Sequence, residues 1–135
     1  MILVDTSVMI DYLKGRDNET TKLFDKVIEL NLPFGISAFT YQELLQGARD
    51  DAEFLKLKSY LGTLKIYFLP NDVAYYEKAA RMFFDLRRRG KTVRSTIDIL
   101  IALAAIHYDL SLLHNDRDFD VLAEAADRLK ILDSI

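Results

Sequence analysis

The stretch Thr96-Ile97-Asp98-Ile99-Leu100-Ile101-Ala102-Leu103-Ala104-Ala105-Ile106-His107, followed at once by Leu110-Ser111-Leu112-Leu113, decides the fold. Residues 96–107 read as a helix that is apolar nearly all round, and such a helix is buried. Residues 110–113 read as a short buried strand. A buried helix feeding directly into a strand is one half of an α/β repeat. The same alternation extends outward in both directions.

Downstream, residues 117–126 read as a short helix and Leu129–Leu132 as a last strand. Upstream, residues 72–89 carry Val73, Tyr76, Ala80 and Phe83 in helical register, with Gly90 where a C-terminal cap belongs. Lys65–Leu69 reads as a strand, preceded by helices at about 40–49 and 51–61. Phe34–Ser37 is a strand opened by Pro33. A helix over about 19–31 puts Leu23, Val27 and Leu30 on one face. Ile2-Leu3-Val4 is the first strand, and residues 6–14 form a helix ended by Gly15. Strands alternating with helices imply a central parallel sheet covered on both faces, a three-layer α/β/α sandwich. In such sheets the ligand site lies beyond the carboxyl ends of the strands.

The 135 residues fit a single domain, and with 50% hydrophobic residues they fill a core without staples. There is no cysteine, so disulfides, thiolate zinc sites and cysteine nucleophiles are excluded. That suits a reducing cytoplasm, the expected location. Met1-Ile2-Leu3-Val4 meets Asp5 with no basic lead-in, which speaks against a secretory signal. The longest apolar run, Ile99–Ile106, is too short to span a membrane. No G-x-x-x-x-G-K-[ST], G-x-G-x-x-G or G-x-S-x-G motif is present, so nucleotide-binding loops and a serine elbow have no support.

Four acids fall where that site should be. Asp5 follows the first strand and Asp116 follows the strand at 110–113. Glu43 lies early in the helix after the second strand. Asp98 is the one charged side chain in the first turns of the buried-looking helix. Each also has a structural explanation. Thr40-Tyr41-Gln42-Glu43 and Ser95-Thr96-Ile97-Asp98 match capping boxes, and Asp116 precedes a helix that it can cap. Taken together the acids ask for more, because ionised carboxylates are rarely buried without a partner or a metal. Like charges at short range raise one another's pKa. Hard oxygen ligands with no cysteine suit Mg²⁺ or Mn²⁺, and metal-held carboxylates suit phosphodiester hydrolysis.

The formal net charge of −3 argues at first sight against a nucleic-acid partner. Setting four metal-holding carboxylates aside leaves the remainder close to neutral, so local distribution matters more than the sum. Arg87, Arg88, Arg89, Lys91 and Arg94 form one basic segment just ahead of Asp98, placed to meet RNA phosphates or simply to end a helix.

The ordered blocks Ile2-Leu3-Val4-Asp5-Thr6-Ser7, Ile36-Ser37 through Glu43-Leu44 with Gly47, Asp98-Ile99-Leu100-Ile101-Ala102, and Leu112-Leu113 through Asp116-Arg117-Asp118-Phe119 resemble a PIN domain. The resemblance runs over nearly the whole chain and is nearest to the VapC toxins of toxin–antitoxin pairs. It implies an α/β/α sandwich, Mg²⁺- or Mn²⁺-dependent cleavage of a structured RNA such as tRNA or rRNA, a homodimer, and neutralisation by a cognate antitoxin. It implies a catalytic quartet of Asp5, Glu43, Asp98 and Asp116, with metal held by Asp5, Asp98 and Asp116 and with Asp118 as a further candidate ligand. Thr6 resembles the small polar neighbour that supports the first aspartate. His114 stands where many members carry threonine.

Two further readings remain open at this point. Phe39, Tyr41, Leu44, Leu45, Phe54, Leu55 and Leu57 are more apolar side chains than two short helices need to hide. The excess suits either ordinary packing or a groove for an apolar antitoxin segment. The alternative for the whole chain is a catalytically inactive PIN-like module that binds RNA or protein. A receiver-like module would want adjacent acids after the first strand, where only Asp5 stands.

Overall fold

A computed structural model describes all 135 residues. The elements run β1 (Ile2–Val4), α1 (Thr6–Leu13), α2 (Glu19–Glu29), β2 (Phe34–Ser37), α3 (Ala38–Gln46), α4 (Asp51–Leu61), β3 (Lys65–Tyr67), α5 (Val73–Arg88), α6 (Thr96–His107), β4 (Ser111–Leu113), α7 (Arg117–Ala125) and β5 (Lys130–Ile131). The five strands form one sheet in the order β3-β2-β1-β4-β5, and every pair is parallel. The chain builds outward from β1 to one edge, then returns and builds to the other. The point of reversal lies between β1 and β4, where Leu3 pairs with Leu112 and Val4 with Leu113.

Alternation along the strands divides the core into two layers. Ile2, Val4, Ile36 and Leu113 face a cluster with Val8, Met9, Phe24, Val27, Leu44 and Leu61, which come from α1 to α4. Leu3 and Leu112 face the other way, onto Leu86, Ile99, Ile101, Ala102, Ala105, Phe119 and Leu122 from α5 to α7. The second layer explains why residues 96–107 are apolar all round. Helix α6 is packed between the sheet and α5, so Ile99, Ile101, Ala102, Leu103, Ala104 and Ala105 are all buried. This is the expected three-layer sandwich.

The boundaries differ where local chemistry overrides periodicity. The second helix stops at Glu29 instead of 31, because Asn31 takes a left-handed φ of 52°. The third begins at Ala38, two residues before the expected 40, and ends at Gln46. Its cap is Ser37, whose Oγ accepts from the Thr40 N–H at 3.1 Å. Thr40-Tyr41-Gln42-Glu43 is therefore not a capping box, and Glu43 is free of that duty. Ser95 caps α6 as expected, but its Oγ accepts from Ile97 N–H at 3.2 Å, and no return bond from Asp98 closes the box. Strand β3 ends at Tyr67 because its partner β2 ends at Ser37. Gly35 in β2 is a steric requirement: a Cβ there would stand 2.5 Å from the Lys65 carbonyl oxygen.

Candidate active site at the sheet's switch point

Strands β1 and β4 are neighbours, so the residues that follow them stand side by side. Asp5 and Asp116 each take extended backbone and cap the next helix. The Asp5 amide donates to the Leu113 carbonyl at 2.9 Å, which ties the two strand ends together. Both acids are thus helix caps, as the structural explanation holds for Asp116. The question is what their remaining oxygens do.

For Asp5, one oxygen is fully used. Oδ2 accepts from the Ser7 amide at 3.0 Å and from Ser7 Oγ at 2.6 Å. The other, Oδ1, is buried and has no hydrogen-bond partner at all. An orphaned carboxylate oxygen in the interior is expensive and calls for an explanation such as an ion. Burial pushes the Asp5 carboxyl above its ordinary range despite the Ser7 bonds, and the Glu43 charge adds to the rise.

Glu43 projects from α3 toward the same place. Its Oε1 accepts from Thr6 Oγ1 at 2.7 Å. The Thr6 and Thr40 hydroxyls lie 3.0 Å apart, and Thr40 lies 3.2 Å from Ser37 Oγ. With Thr6 donating to Glu43, the donors run in one direction, from Ser37 to Thr40 to Thr6 to the carboxylate. All three hydroxyl residues are buried, so this line fixes the Glu43 rotamer from beneath.

Asp98 stands in the first turn of α6 and is half-buried. Its pKa is raised to about 7, first by desolvation and then by the charges of Asp5, Asp116, Asp118 and Glu43. That list of neighbours places all five acids in one electrostatic cluster. Oxygens of Asp98, Asp116 and Asp118 lie within 4.8 Å of one another, close enough to share one cation. Acids that no local pattern connects are therefore within electrostatic reach of one another at the carboxyl edge of the sheet, with Asp5 and Glu43 outside the close trio. The chemistry fits Mg²⁺ or Mn²⁺: hard oxygen donors, raised pKa values, and a buried oxygen left without a donor.

The basic segment does not act as one patch. Arg87 lies over the Phe83 ring, Arg88 over the Phe84 ring, and Lys91 pairs with Glu124. Arg89 is exposed at the end of α5. Arg94 turns into the site: its Nε and backbone N–H donate to Asp118 Oδ2, both at 3.1 Å, and Nη2 donates to Asp116 Oδ1 at 3.2 Å.

Four supporting residues were not singled out from sequence. Ser7 orients Asp5 and also accepts from the Asn115 amide at 2.9 Å. Asn115 Nδ2 donates to Asp11 Oδ2 at 2.9 Å, and Asp11 further accepts from Arg16 and Asn18. The Asn115 bond, then those from Arg16 and Asn18, hold the Asp11 carboxyl below its ordinary range. This clamp joins α1 to the loop carrying Asp116. Thr40 is the fourth, in the hydroxyl line. The spacing Asp5-x-Ser7 is an N-cap signature that would have marked Ser7, whereas Asp11 and Asn115 are 104 residues apart and carried no signal. His114 shapes the same loop. Its Nδ1 accepts from the Asp116 amide at 3.1 Å, so Nε2 carries the proton and faces Asp120 at 3.2 Å.

Fold and site define an α/β protein with an acidic cluster at the switch point of a parallel sheet. Comparison with known proteins gives that class its family. The model of the PIN domain matches residues 2–125. Ribonuclease VapC11 of Mycobacterium tuberculosis and VapC ribonuclease Mb1587 of Mycobacterium bovis are each 32% identical over 124 residues, covering 91% of this chain and 92% of theirs. Among solved structures, VapBC-1 from nontypeable Haemophilus influenzae matches with a TM-score of 0.73 at 22% identity, over 98% of both chains. VapBC2 from Rickettsia felis, bound to a DNA fragment from its promoter, matches with a TM-score of 0.72 at 19% identity, over 98% of both chains. The chain belongs to the PIN domain family, on its VapC side.

Proposed function

We propose that the chain is a Mg²⁺- or Mn²⁺-dependent endoribonuclease, the toxin of a toxin–antitoxin pair, that cuts a structured RNA and so inhibits translation. The observation that carries the reading is the orphaned Oδ1 of Asp5 in a cluster of five acids. A buried carboxylate oxygen without a donor, within electrostatic reach of other acids, stabilises nothing in the fold, but it is what a site built for a divalent cation requires. Similarity to VapC ribonucleases at 32% identity supports ribonuclease activity, and the fold shared with VapBC toxin–antitoxin structures supports a protein antitoxin.

Asp5, Asp98 and Asp116 would hold the metal, with Asp118 beside them. When bound, the cation neutralises the acids and lowers the pKa of a water at the scissile phosphate. Glu43, held by the Thr6 hydroxyl, would orient that water and take its proton. In-line attack expels the ribose 3′-oxygen and leaves a 5′-phosphate. Arg87, Arg88, Arg89 and Lys91, exposed at and just after the end of α5, would meet RNA phosphates and give a salt-dependent affinity. No helix is long and apolar enough to cross a membrane. The cytoplasm, where RNA and antitoxin meet, is the proposed place of action, and a homodimer the proposed assembly. On α4, Phe54 and Leu55 are exposed while Leu61 is buried, as is Leu44 on α3. The outer side of α4 is thus the part of residues 38–61 left for an apolar antitoxin segment.

The test is cleavage of end-labelled structured RNAs by wild type and Asp98→Asn, with Mg²⁺ or Mn²⁺ and with a chelator. Cutting that needs both the metal and Asp98 is the expected result. Cutting that survives the chelator or the substitution overturns the assignment.

A further inference from the structure

Arg94 holds an unusual position for a basic residue in a proposed RNA-binding segment, because it spends its charge on the acids themselves. The loop between α5 and α6 turns at Gly90, with a φ of 75°, and is anchored by buried Val93. The N-cap of α6, Ser95, fixes its other end. Arg94 is held between these anchors, and its grip on the two acids is unequal. Asp118, 5% exposed, receives both the backbone amide and Nε on one oxygen. Asp116 receives only Nη2, at the longest of the three distances, 3.2 Å. The same Asp116 oxygen also accepts the Asp118 amide at 3.0 Å.

The Arg94 side chain remains 67% exposed, so its outer nitrogens leave Asp116 without passing through the core. Both acids that it touches belong to the trio whose oxygens lie within 4.8 Å of one another. A guanidinium and a divalent cation on the same carboxylates repel each other and compete for the same lone pairs.

We propose that Arg94 is a built-in competitor for the metal: its guanidinium neutralises Asp116 and Asp118 in the metal-free protein, and metal loading displaces Nη2 from Asp116 while the backbone amide stays on Asp118. This rests on the metal-dependent reading above. It assigns Arg94 a task different from that of the other basic residues. The arrangement weakens metal binding relative to what the acids alone would give, and it keeps the empty cluster from repelling itself apart.

The experiment is direct titration with Mn²⁺, following free ion by electron paramagnetic resonance at low salt, on wild type, Arg94→Gln and Arg94→Lys. Melting in chelator checks that each variant is folded. Arg94→Gln should bind Mn²⁺ about three- to tenfold more tightly than wild type, the range expected for one solvent-exposed charged contact. Its melting temperature in chelator should be lower than wild type, and its rise on adding Mn²⁺ larger. Arg94→Lys keeps the charge and should stay near wild type. Equal or weaker binding by Arg94→Gln overturns the proposal. So does a matching loss in both variants, which would make Arg94 a positioning residue for Asp118. A wild type that binds no Mn²⁺ overturns the metal reading itself and this proposal with it, whereas a binding wild type beside an unimproved Arg94→Gln overturns the competition alone.

Discussion

Asp5 and Asp116 occupy equivalent places: each follows a central strand, each caps the next helix, and their strands are paired. Their surroundings are opposite. Asp5 is buried, braced by Ser7 on one oxygen and bare on the other, and it faces a Glu43 that is itself braced by Thr6. Asp116 is partly exposed and already in contact with a cation, Arg94. The β1 side is preorganised and uncompensated, whereas the β4 side is compensated and open to exchange. Geometry is stored on one side and charge balance on the other. A site built this way remains folded when empty yet retains one oxygen that only an ion satisfies.

The largest effect should come from the bare side. Asp5→Asn should lower RNA cleavage by roughly 100- to 1,000-fold, as loss of one preorganised electrostatic group does elsewhere. The same substitution should raise the melting temperature in chelator, because it removes a buried charge with an unpaired oxygen. A metal-free Asp5→Asn protein that melts lower than wild type would break the comparison. Next, Thr6→Val removes the donor beneath Glu43 while preserving shape. Cleavage should fall about 10- to 100-fold, the range for groups that orient site ligands. A Thr6→Val enzyme at full rate would show that Glu43 needs no bracing.

The pH dependence of stability sharpens the contrast further. Asp98 has its folded pKa raised to about 7, above the ordinary carboxylate value. The folded state then binds the extra proton, so stability is fully present below the unfolded pKa and declines as pH rises toward 7. Urea melts of metal-free protein should show that decline, and Asp98→Asn should flatten it. Saturating Mg²⁺ should reverse the trend in wild type. The smallest effect belongs to the clamp between the two sides. Asn115→Ala loses one hydrogen bond to Asp11, which keeps Arg16 and Asn18. Stability should drop by about 1 kcal/mol in denaturant titration, with cleavage down only a few-fold.

Much of this is legible in the sequence, and the reasons are local. Helix α6 is announced by an unbroken apolar run, and its bounds, 96–107, agree with the sequence reading, as do those of α4 at 51–61. Asp98 stood out because a charge in such a run has few bland explanations. The start of α3 is ambiguous in sequence because Thr40-x-x-Glu43 and Ser37-x-x-Thr40 are both acceptable caps, and only the end of β2 chooses between them. Arg94 was grouped with its neighbours because charge runs look uniform in one dimension. Its bonds to Asp116 and Asp118 span 22 and 24 residues and depend on how α5, α6 and α7 pack. Asp11 and Asn115 carry no signal for the same reason, since polar residues on a helix and a loop acquire roles only when the sheet closes, whereas Ser7 stands two residues from the acid it orients.

The order of the strands carries one more consequence, for the time at which the site comes into being. Asp5 and Glu43 lie in the first third of the chain, but Asp116 joins them only when β4 docks against β1, and Asn115 reaches back 108 residues to Ser7. During synthesis the amino-terminal strands can pair as they emerge, while the site stays incomplete until residues 111–119 are free of the ribosome. Under the proposed function, a chain built in this order would be harmless to the machinery making it until its carboxyl-terminal residues are in hand.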